Sequence, residues 1–336
     1  RPGALPGLAP FLLRYWWHSA PARYAEMARR YAPLIGAAVD AHAELIRAAG
    51  ADDLIVRQGW YQLYRTAAVR DRSFAEAEQI ARDFAIASEQ LSGAEMRALE
   101  PGLRVDLAGA LHWTQPWSIR DPNGLIRAYV RLFEQLGGSF IRGDAATLEE
   151  AGGGWRVAGE TEPIEAKQAV IALGPWSAKA TRRLGYRLPL AVKRGYHMHY
   201  RQPEDTPLRH WMLDLEPGYL LAPMARGIRL TTGVEFAPLG GAKSPVQLER
   251  VEPIGRALFP LGERLDAEPW MGARPATPDM MPIIGPAPRH QNLWFAFGHA
   301  HHGMTLGPAT GRLIAELMTG EAPFLDVSAF SAARFL

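Results

Sequence analysis

The feature that most constrains the fold is a buried strand near the C-terminus that runs through a short loop into a long helix. The strand is NLWFAFG, residues 292–298, and an apolar run of this kind is typical of a strand inside a sheet. The helix that follows has one apolar face, made by Leu306, Ala309, Leu313, Ile314, Leu317 and Met318. A strand that leads into the N-terminus of a buried helix predicts an α/β domain, with free N–H groups facing an anionic or electron-rich ligand.

The loop between this strand and helix contains three histidines, and they allow three interpretations. His299, His301 and His302 could ligate a metal, pack or face solvent, or belong to a loop whose backbone amides contact a cofactor. The sequence has no His-Glu-x-x-His helix and no cysteine. Thiolate metal sites, disulfides and a cysteine nucleophile are therefore excluded, and we expect no metal site.

Composition narrows the class of protein further. Hydrophobic residues make up 48% and charged residues 21% of the 336 residues, and the net charge of +2 indicates a globular protein that does not bind nucleic acid. No apolar run reaches the length of a membrane span and no signal peptide is found. We expect a cytoplasmic protein, with peripheral association at the inner face of the membrane as the alternative. Trp16 and Trp17 are predicted core aromatics, or, alternatively, membrane-surface residues.

A second strand–loop–helix unit lies in the middle of the chain. The apolar run at 169–173 enters a turn at Gly174, and the helical pattern PWSAKATRRLG follows directly. Residues 187–233 read as β-rich, and a helix is predicted over 245–258. Further predictions are a strand pair around Gly59 and a short strand SFIRG. The pattern as a whole predicts an α/β (α+β) fold.

Two C-terminal stretches carry a resemblance to a known family. PWMGARPATPDMMPIIG and NLWFAFGHAHHGMTLGPATGRLIAELMTG resemble the C-terminal signature of the D-amino-acid oxidase/glycine oxidase superfamily of FAD-dependent oxidoreductases. The bacterial D-amino-acid dehydrogenases, small-subunit type, are the most similar branch. Residues 110–140, 169–200 and 218–236 are similar to other parts of these enzymes, and the similarity extends from 54 to the C-terminus.

The resemblance implies a two-domain fold, with a Rossmann-like FAD domain and an antiparallel β-sheet substrate domain with helices. The family's G-x-G-x-x-G segment, which holds the FAD pyrophosphate, is absent here. We therefore expect the FAD domain to be incomplete in this chain; the alternative is a protein that no longer binds FAD. The implied division is a helical segment (1–53), the substrate domain (54–117 and 190–270) and the FAD-binding domain (118–189 and 271–336).

The implied activity is the oxidative deamination of D-amino acids. A hydride passes from Cα to flavin N5, and the products are a 2-oxo acid and ammonia. The partners are then a small-molecule substrate and an electron acceptor such as a quinone or oxygen. Two alternatives stay open: an enzyme for another small amine or hydroxy acid (glycine, sarcosine, D-hydroxyproline or 2-hydroxyglutarate), and a non-enzymatic protein of the same fold.

The resemblance also assigns site residues. Arg274 is implied as the partner of the substrate carboxylate, which a guanidinium holds through two parallel bonds, and Tyr219 as a second contact. Tyr196 and His197 are implied to line the pocket. A structural ion pair for Arg274 and core positions for the tyrosines are the alternatives. The implied FAD contacts are Ala172, Leu173, Gly174, Trp176, Gly298, His299, His301, His302, Gly303, Met304 and Thr305.

Overall fold

The structure is a computed structural model that describes residues 5–336. Its helices begin where the sequence offers starting signals: Ser92 and Glu95 form a capping box, and Asp121 caps a helix whose first residue is proline. The α-helices are α1 (Leu5–His18), α2 (Pro21–Gly36), α3 (Ala38–Ala48), α4 (Ala67–Phe84), α5 (Gly93–Leu99), α6 (Pro122–Gln135), α7 (Ser177–Arg183), α8 (Val246–Leu258) and α9 (Gly303–Thr319).

The strands form one large sheet and three small ones. They are β1 (Ile55–Val56), β2 (Trp60–Tyr64), β3 (Ser88–Leu91), β4 (Gly109–Trp113), β5 (Ser118–Ile119), β6 (Gly143–Ala151), β7 (Gly154–Gly159), β8 (Pro163–Ala166), β9 (Ala169–Ile171), β10 (Ala191–Tyr200), β11 (Met212–Asp214), β12 (Tyr219–Met224), β13 (Gly227–Phe236), β14 (Trp270–Ala276), β15 (Ile283–Pro286) and β16 (Leu293–Phe297). The large sheet has the order β14-β10-β13-β12-β11-β2-β4-β3. Its neighbours are antiparallel except for the β11–β2 pair.

The two faces of the large sheet differ because side chains alternate along each strand. In β10, Tyr196, Met198 and Tyr200 point into a core that also contains residues of α8. Lys193 and His197 belong to the opposite face. We call this second face of β14, β10 and β13 the open face; its residues used below are Lys193, Gly195, His197, His199, Arg229, Trp270 and Arg274.

The predicted strand–loop–helix units lie side by side in a smaller sheet with the order β15-β16-β9. β16 and β9 are parallel, with Phe295 opposite Ile171. Both strands therefore deliver the chain to loops at the same edge, where open α/β sheets bind ligands. The helix α9 that follows β16 packs its predicted apolar face against α2 and α3.

Two predicted strands differ from the structure. β1 and β2 flank Gly59 without pairing with each other: β1 pairs with β5, and β2 pairs with β4 and β11. Gly59 has φ +64, and a Cβ there would lie 2.0 Å from the Trp113 carbonyl oxygen, so the chain changes sheets at this residue. The stretch SFIRG is not a strand; Phe140 and Ile141 are exposed, and the strand begins at Gly143.

The predictions for Trp16 and Trp17 as core residues are wrong. Their exposed fractions are 74% and 54%, and the Arg23 guanidinium lies 3.3 Å from the centre of the Trp17 ring. Among the described residues, no helix combines the length and the apolar character needed to cross a bilayer. β14 pairs with β10, and we propose on this ground that residues 271–276 belong to the substrate domain.

Candidate active site

The site is organised around Arg274 on the edge strand β14. Lys193 of β10 is its direct cross-strand partner, so the two side chains share the open face. The guanidinium of Arg274 lies over Gly195, because a Cβ on Gly195 would be 2.1 Å from Nη1. Glycine at this position therefore creates the space that the guanidinium occupies.

Arg274 is half-buried and, unlike Arg194 and Arg334, has no carboxylate partner within residues 5–336. Its Nη1 is buried without a hydrogen bond. In contrast, Arg194 bonds Glu235 and two carbonyl oxygens, and Arg334 bonds Asp279 and several carbonyls. Burial lowers the pKa of Arg274, and burial together with the charge of Arg274 lowers the pKa of Lys193. An unpaired buried cation is costly, so the arrangement suits an anion supplied from outside the chain.

Lys193 is the second cation of this site and it lies in an aromatic box. Its Nζ is 4.6 Å from the centre of the Tyr15 ring and 5.5 Å from that of Phe236. The sulfur of Met280 is 3.3 Å away. The box stabilises the ammonium group by cation–π contacts without supplying a carboxylate.

The loop between β16 and α9, residues 298–302, contacts the end of β14; we call it the histidine loop. The amide of Ala300 donates to the carbonyl of Pro275 at 2.9 Å, and His299 forms a bridge with Ala276. Ala300 has φ 49 and Gly298 has φ +86. A left-handed alanine is unfavourable, so the contacts with β14 determine the loop conformation. The loop is thereby brought to the strand that carries Arg274.

The three histidines have different surroundings. His299 is buried, and its Nε2 lies 3.0 Å from Thr310 Oγ1. His302 contacts Tyr31, with 3.4 Å between Nδ1 and the phenol oxygen. The side chain of His301 is exposed at the surface. Desolvation by the surrounding protein, together with the charges of Arg274, His302 and Lys193, nevertheless lowers the pKa of His301 to about 4. Within residues 5–336 no cluster of His, Asp and Glu side chains could hold a metal.

The N-terminus of α9 is open. No side chain caps it, so the first amides, among them those of Met304 and Thr305, are free to bind a ligand. Gly303 has an ordinary φ and no heavy atom within 4 Å of a Cβ position. The space in front of it suits a ligand. Gly298 is the conformationally restricted glycine, because its φ is positive and a Cβ would lie 3.3 Å from Thr277.

The second implied cofactor loop reaches the same edge. Ala172, Leu173 and Gly174 follow β9, and the turn Gly174–Trp176 contacts β14. Gly174 has φ +53 with open space around it, and Trp176 is 58% exposed. The next residue, Ser177, has a buried Oγ with no hydrogen bond.

These features fit the ring end of a flavin. An uncapped helix N-terminus suits the negative charge that a flavin acquires on reduction. The open space at Gly303 allows a flat ring system close to the backbone. Arg274 lies on the strand that both loops contact, where a substrate carboxylate would be held beside the ring.

The remaining implied site residues are divided between the two faces of the sheet. His197 is on the open face, stacked on Trp270 with 4.7 Å between ring centres. Tyr219 is on the core face, where its hydroxyl donates to Asp214 at 2.6 Å, and burial raises the pKa of this phenol. Tyr196 is on the core face too, and donates to Glu235 at 2.7 Å. The structure therefore brings His197, but neither tyrosine, to the face of Arg274.

Sequence reasoning missed three residues of the site, namely Lys193, Gly195 and Trp270. The alternation in AVKRGYHMHY, residues 191–200, is the signal that could have found the first two. Side chains two apart share a face, so Lys193, Gly195 and His197 lie together once one of them is assigned to the site. Trp270 has no such signal, because its position depends on the pairing of β14 with β10.

Comparison with known proteins agrees with this geometry. The family model described as FAD-dependent oxidoreductase (DAO) matches residues 12–317. The D-amino-acid oxidase of Bradyrhizobium diazoefficiens is 30% identical over 343 aligned residues, covering all of this chain and 79% of that protein. A D-amino acid dehydrogenase of the same organism is 29% identical, covering all of this chain and 80% of its own length.

Solved structures share the fold. Glycine oxidase from Geobacillus kaustophilus superposes with a TM-score of 0.77 at 23% identity, over 95% of this chain and 84% of that one. L-proline dehydrogenase from P. horikoshii has a TM-score of 0.75 at 18% identity, over 90% and 82% of the two chains. The fold, the family match and the flavin-compatible edge agree, and the chain belongs to the DAO family of FAD-dependent oxidoreductases, which includes amino-acid oxidases and dehydrogenases.

Proposed function

We propose that the protein catalyses the oxidative deamination of D-amino acids. The observation that carries the proposal is the guanidinium of Arg274 on the open face, next to the histidine loop, because its Nη1 is buried without a hydrogen bond to the described residues. A carboxylate is the ligand that best matches a planar guanidinium fork. The similarity to proteins named D-amino-acid oxidase and D-amino acid dehydrogenase supports a D-amino acid as the substrate that carries this carboxylate.

FAD, when bound, supplies the acceptor for the hydride that leaves the substrate Cα. The amides at the start of α9 would hold the electron-rich edge of the ring, and Gly298 would allow the loop to approach it closely. Arg274 would hold the carboxylate and so fix the direction in which the Cα–H bond points. Such positioning provides much of the rate enhancement when the reaction needs no dedicated base.

The reaction is a two-electron oxidation of the substrate. The substrate, with its amine neutral, loses one hydride from Cα and one proton from nitrogen, which leaves an imino acid. Water then adds to the imine carbon and ammonia leaves, giving the 2-oxo acid. His301, whose low pKa keeps its imidazole neutral at pH 7, adds no positive charge that would compete with Arg274 for the substrate carboxylate.

The test is a substrate panel on the purified flavoprotein. D-amino acids, their L-enantiomers, glycine and sarcosine are offered with a dye acceptor, and 2-oxo acid and ammonia are measured together. We expect the D-enantiomers to give the two products in equal amounts, and an Arg274→Met variant to lose most of the activity. Turnover of L-enantiomers or of sarcosine, with none of D-amino acids, would contradict the proposal. Peroxide formation distinguishes oxygen from a quinone as the final acceptor.

A further inference from the structure

A second arginine on the open face is also without a carboxylate partner. Arg229 of β13 has one hydrogen bond to the described residues, from Nε to Nε2 of His199 at 3.1 Å. Desolvation lowers its pKa. The charged groups around Arg229 are Asp121, Asp266 and Arg226. Neither Asp121 nor Asp266 forms a salt bridge with Arg229, since each pairs with another side chain.

The side chain of Arg229 is nevertheless held in place. Asp266 accepts from Nδ1 of His199 at 2.9 Å, and Arg226 donates to the same carboxylate at 2.9 Å. With Nδ1 protonated, Nε2 of His199 is the acceptor for Arg229. This chain of hydrogen bonds fixes Nε of Arg229 and leaves its two terminal nitrogens, the fork that binds carboxylates bidentately, without a partner among the described residues.

Arg229 and Arg274 lie on the same face, separated along β10. The Arg274 guanidinium is over Gly195, and Arg229 contacts His199. The Cα atoms of Gly195 and His199, four residues apart on β10, are about 13 Å apart along the strand. Between the two arginines, His197 stacks on Trp270 and meets His199 edge-on, with ring centres 4.7 and 5.0 Å apart. The open face thus has one guanidinium at each end and a neutral aromatic wall between them.

The presence of a second guanidinium selects a class of ligand. A guanidinium fork binds a carboxylate through two parallel charge-assisted bonds, and Arg229 offers such a fork on the face that carries Arg274. A substrate whose side chain ends in a carboxylate matches both forks. A neutral side chain would leave the terminal nitrogens of Arg229 unpaired.

We propose that Arg229 binds the side-chain carboxylate of the substrate and that the enzyme prefers acidic D-amino acids. This inference rests on the proposed function, since it assigns the second carboxylate of the same substrate. His199 and Asp266 are positioning residues that hold Arg229. His197 and Trp270 contact the methylene groups between the two carboxylates.

The experiment compares D-glutamate with its uncharged isostere D-glutamine on the flavoprotein. The wild type should have the higher kcat/KM for D-glutamate. Arg229→Met should lower that value about 10- to 100-fold, the range expected for loss of a charge-assisted pair, and change the value for D-glutamine less than threefold. Arg229→Lys should be intermediate, because an ammonium keeps the charge but not the fork. Arg201→Met is the matched control, because Arg201 is an exposed arginine that directly follows β10 and pairs with Glu263.

A binding measurement provides a readout without turnover. Glutarate and butyrate are titrated into the flavoprotein by calorimetry, and glutarate should bind more tightly in the wild type but not in Arg229→Met. Equal binding of both acids, or an equal loss for D-glutamate and D-glutamine in the variant, would overturn the role of Arg229. Oxidation of neutral D-amino acids with no acidic preference overturns this inference alone, whereas a failure to oxidise any D-amino acid overturns the proposed function.

Discussion

At the scale of single residues, the proposed carboxylate site depends on the lack of a side chain at Gly195. The guanidinium of Arg274 occupies the space where Gly195 would carry a Cβ, 2.1 Å from Nη1 and 2.4 Å from Nη2. Gly195→Ala should displace the guanidinium without removing its charge. We expect kcat/KM for a D-amino acid to fall about 100-fold, the typical effect of a displacement of about 1 Å. Steady-state kinetics of the variant measure this.

The control for that substitution is Gly240→Ala. Gly240 has an ordinary φ and no atom within 4 Å of a Cβ position, so the activity of this variant should equal that of the wild type. Wild-type kinetics in Gly195→Ala would mean that the guanidinium can move away from β10 at no cost to catalysis, and that its position over Gly195 is not the binding position.

His299 should make the stability of the protein depend on pH. Burial and the charge of His302 lower its pKa from 6.5 to about 4. Below pH 6.5 the unfolded chain binds a proton that the folded protein does not, so stability is lost as the pH falls from 6.5 towards 4. Between about pH 7.5 and pH 5 the loss is about 2 kcal/mol at 1.36 kcal/mol per pKa unit.

The measurement for His299 is the free energy of unfolding in urea at the two pH values. His299→Gln keeps a donor near Thr310 and does not titrate, so its free energy of unfolding should fall by about 2 kcal/mol less than that of the wild type. An identical pH dependence of wild type and His299→Gln would show that His299 is accessible to protons in the folded state.

At the scale of elements, α9 should tune the redox potential. Thr305 lies in its uncapped first turn, and an acid there opposes the charge that a bound flavin gains on reduction. A charge near a helix terminus contributes about 0.3 to 1 kcal/mol, so Thr305→Asp should lower the two-electron midpoint potential by about 5 to 20 mV. Thr305→Asn is the neutral control. A midpoint potential that is unchanged or higher in Thr305→Asp would place the ring away from this helix.

The secondary-structure elements also differ in how well the sequence alone predicts them. The strand–loop–helix around residues 293–319 was predictable, because its apolar periods of two and 3.6 residues are local signals. The partners of β1 and β2 were not, because their pairing depends on strands about 50 to 150 residues away. The same limit applies within β10, where Tyr196 and His197 were predicted together. Adjacent strand residues point to opposite faces, and only the packing of α8 decides which face is the core.

At the scale of the whole molecule, we expect the two faces of the large sheet to separate stability from substrate binding. The core face contains buried polar groups that are bonded to one another: Tyr219 donates to Asp214, which pairs with Arg65 at 2.7 Å. The open face has arginines that lack carboxylate partners within the described chain. Groups bonded to one another stabilise the fold, whereas unpaired cations are available to a ligand. A substitution on one face should therefore affect mainly one property.

Tyr219→Phe tests this separation, because the resemblance assigns Tyr219 to the substrate and the geometry places it in the core. Removing the hydroxyl leaves Asp214 buried with Arg65 as its remaining charged partner, which should lower the free energy of unfolding by about 1 to 3 kcal/mol. The KM for a D-amino acid should stay within about twofold of the wild type, since the hydroxyl is on the face opposite Arg274. Urea unfolding and steady-state kinetics are measured on the same preparation. A large rise in KM with unchanged stability would mean that Tyr219 turns to the substrate, and the assignment of binding to the open face would then be wrong.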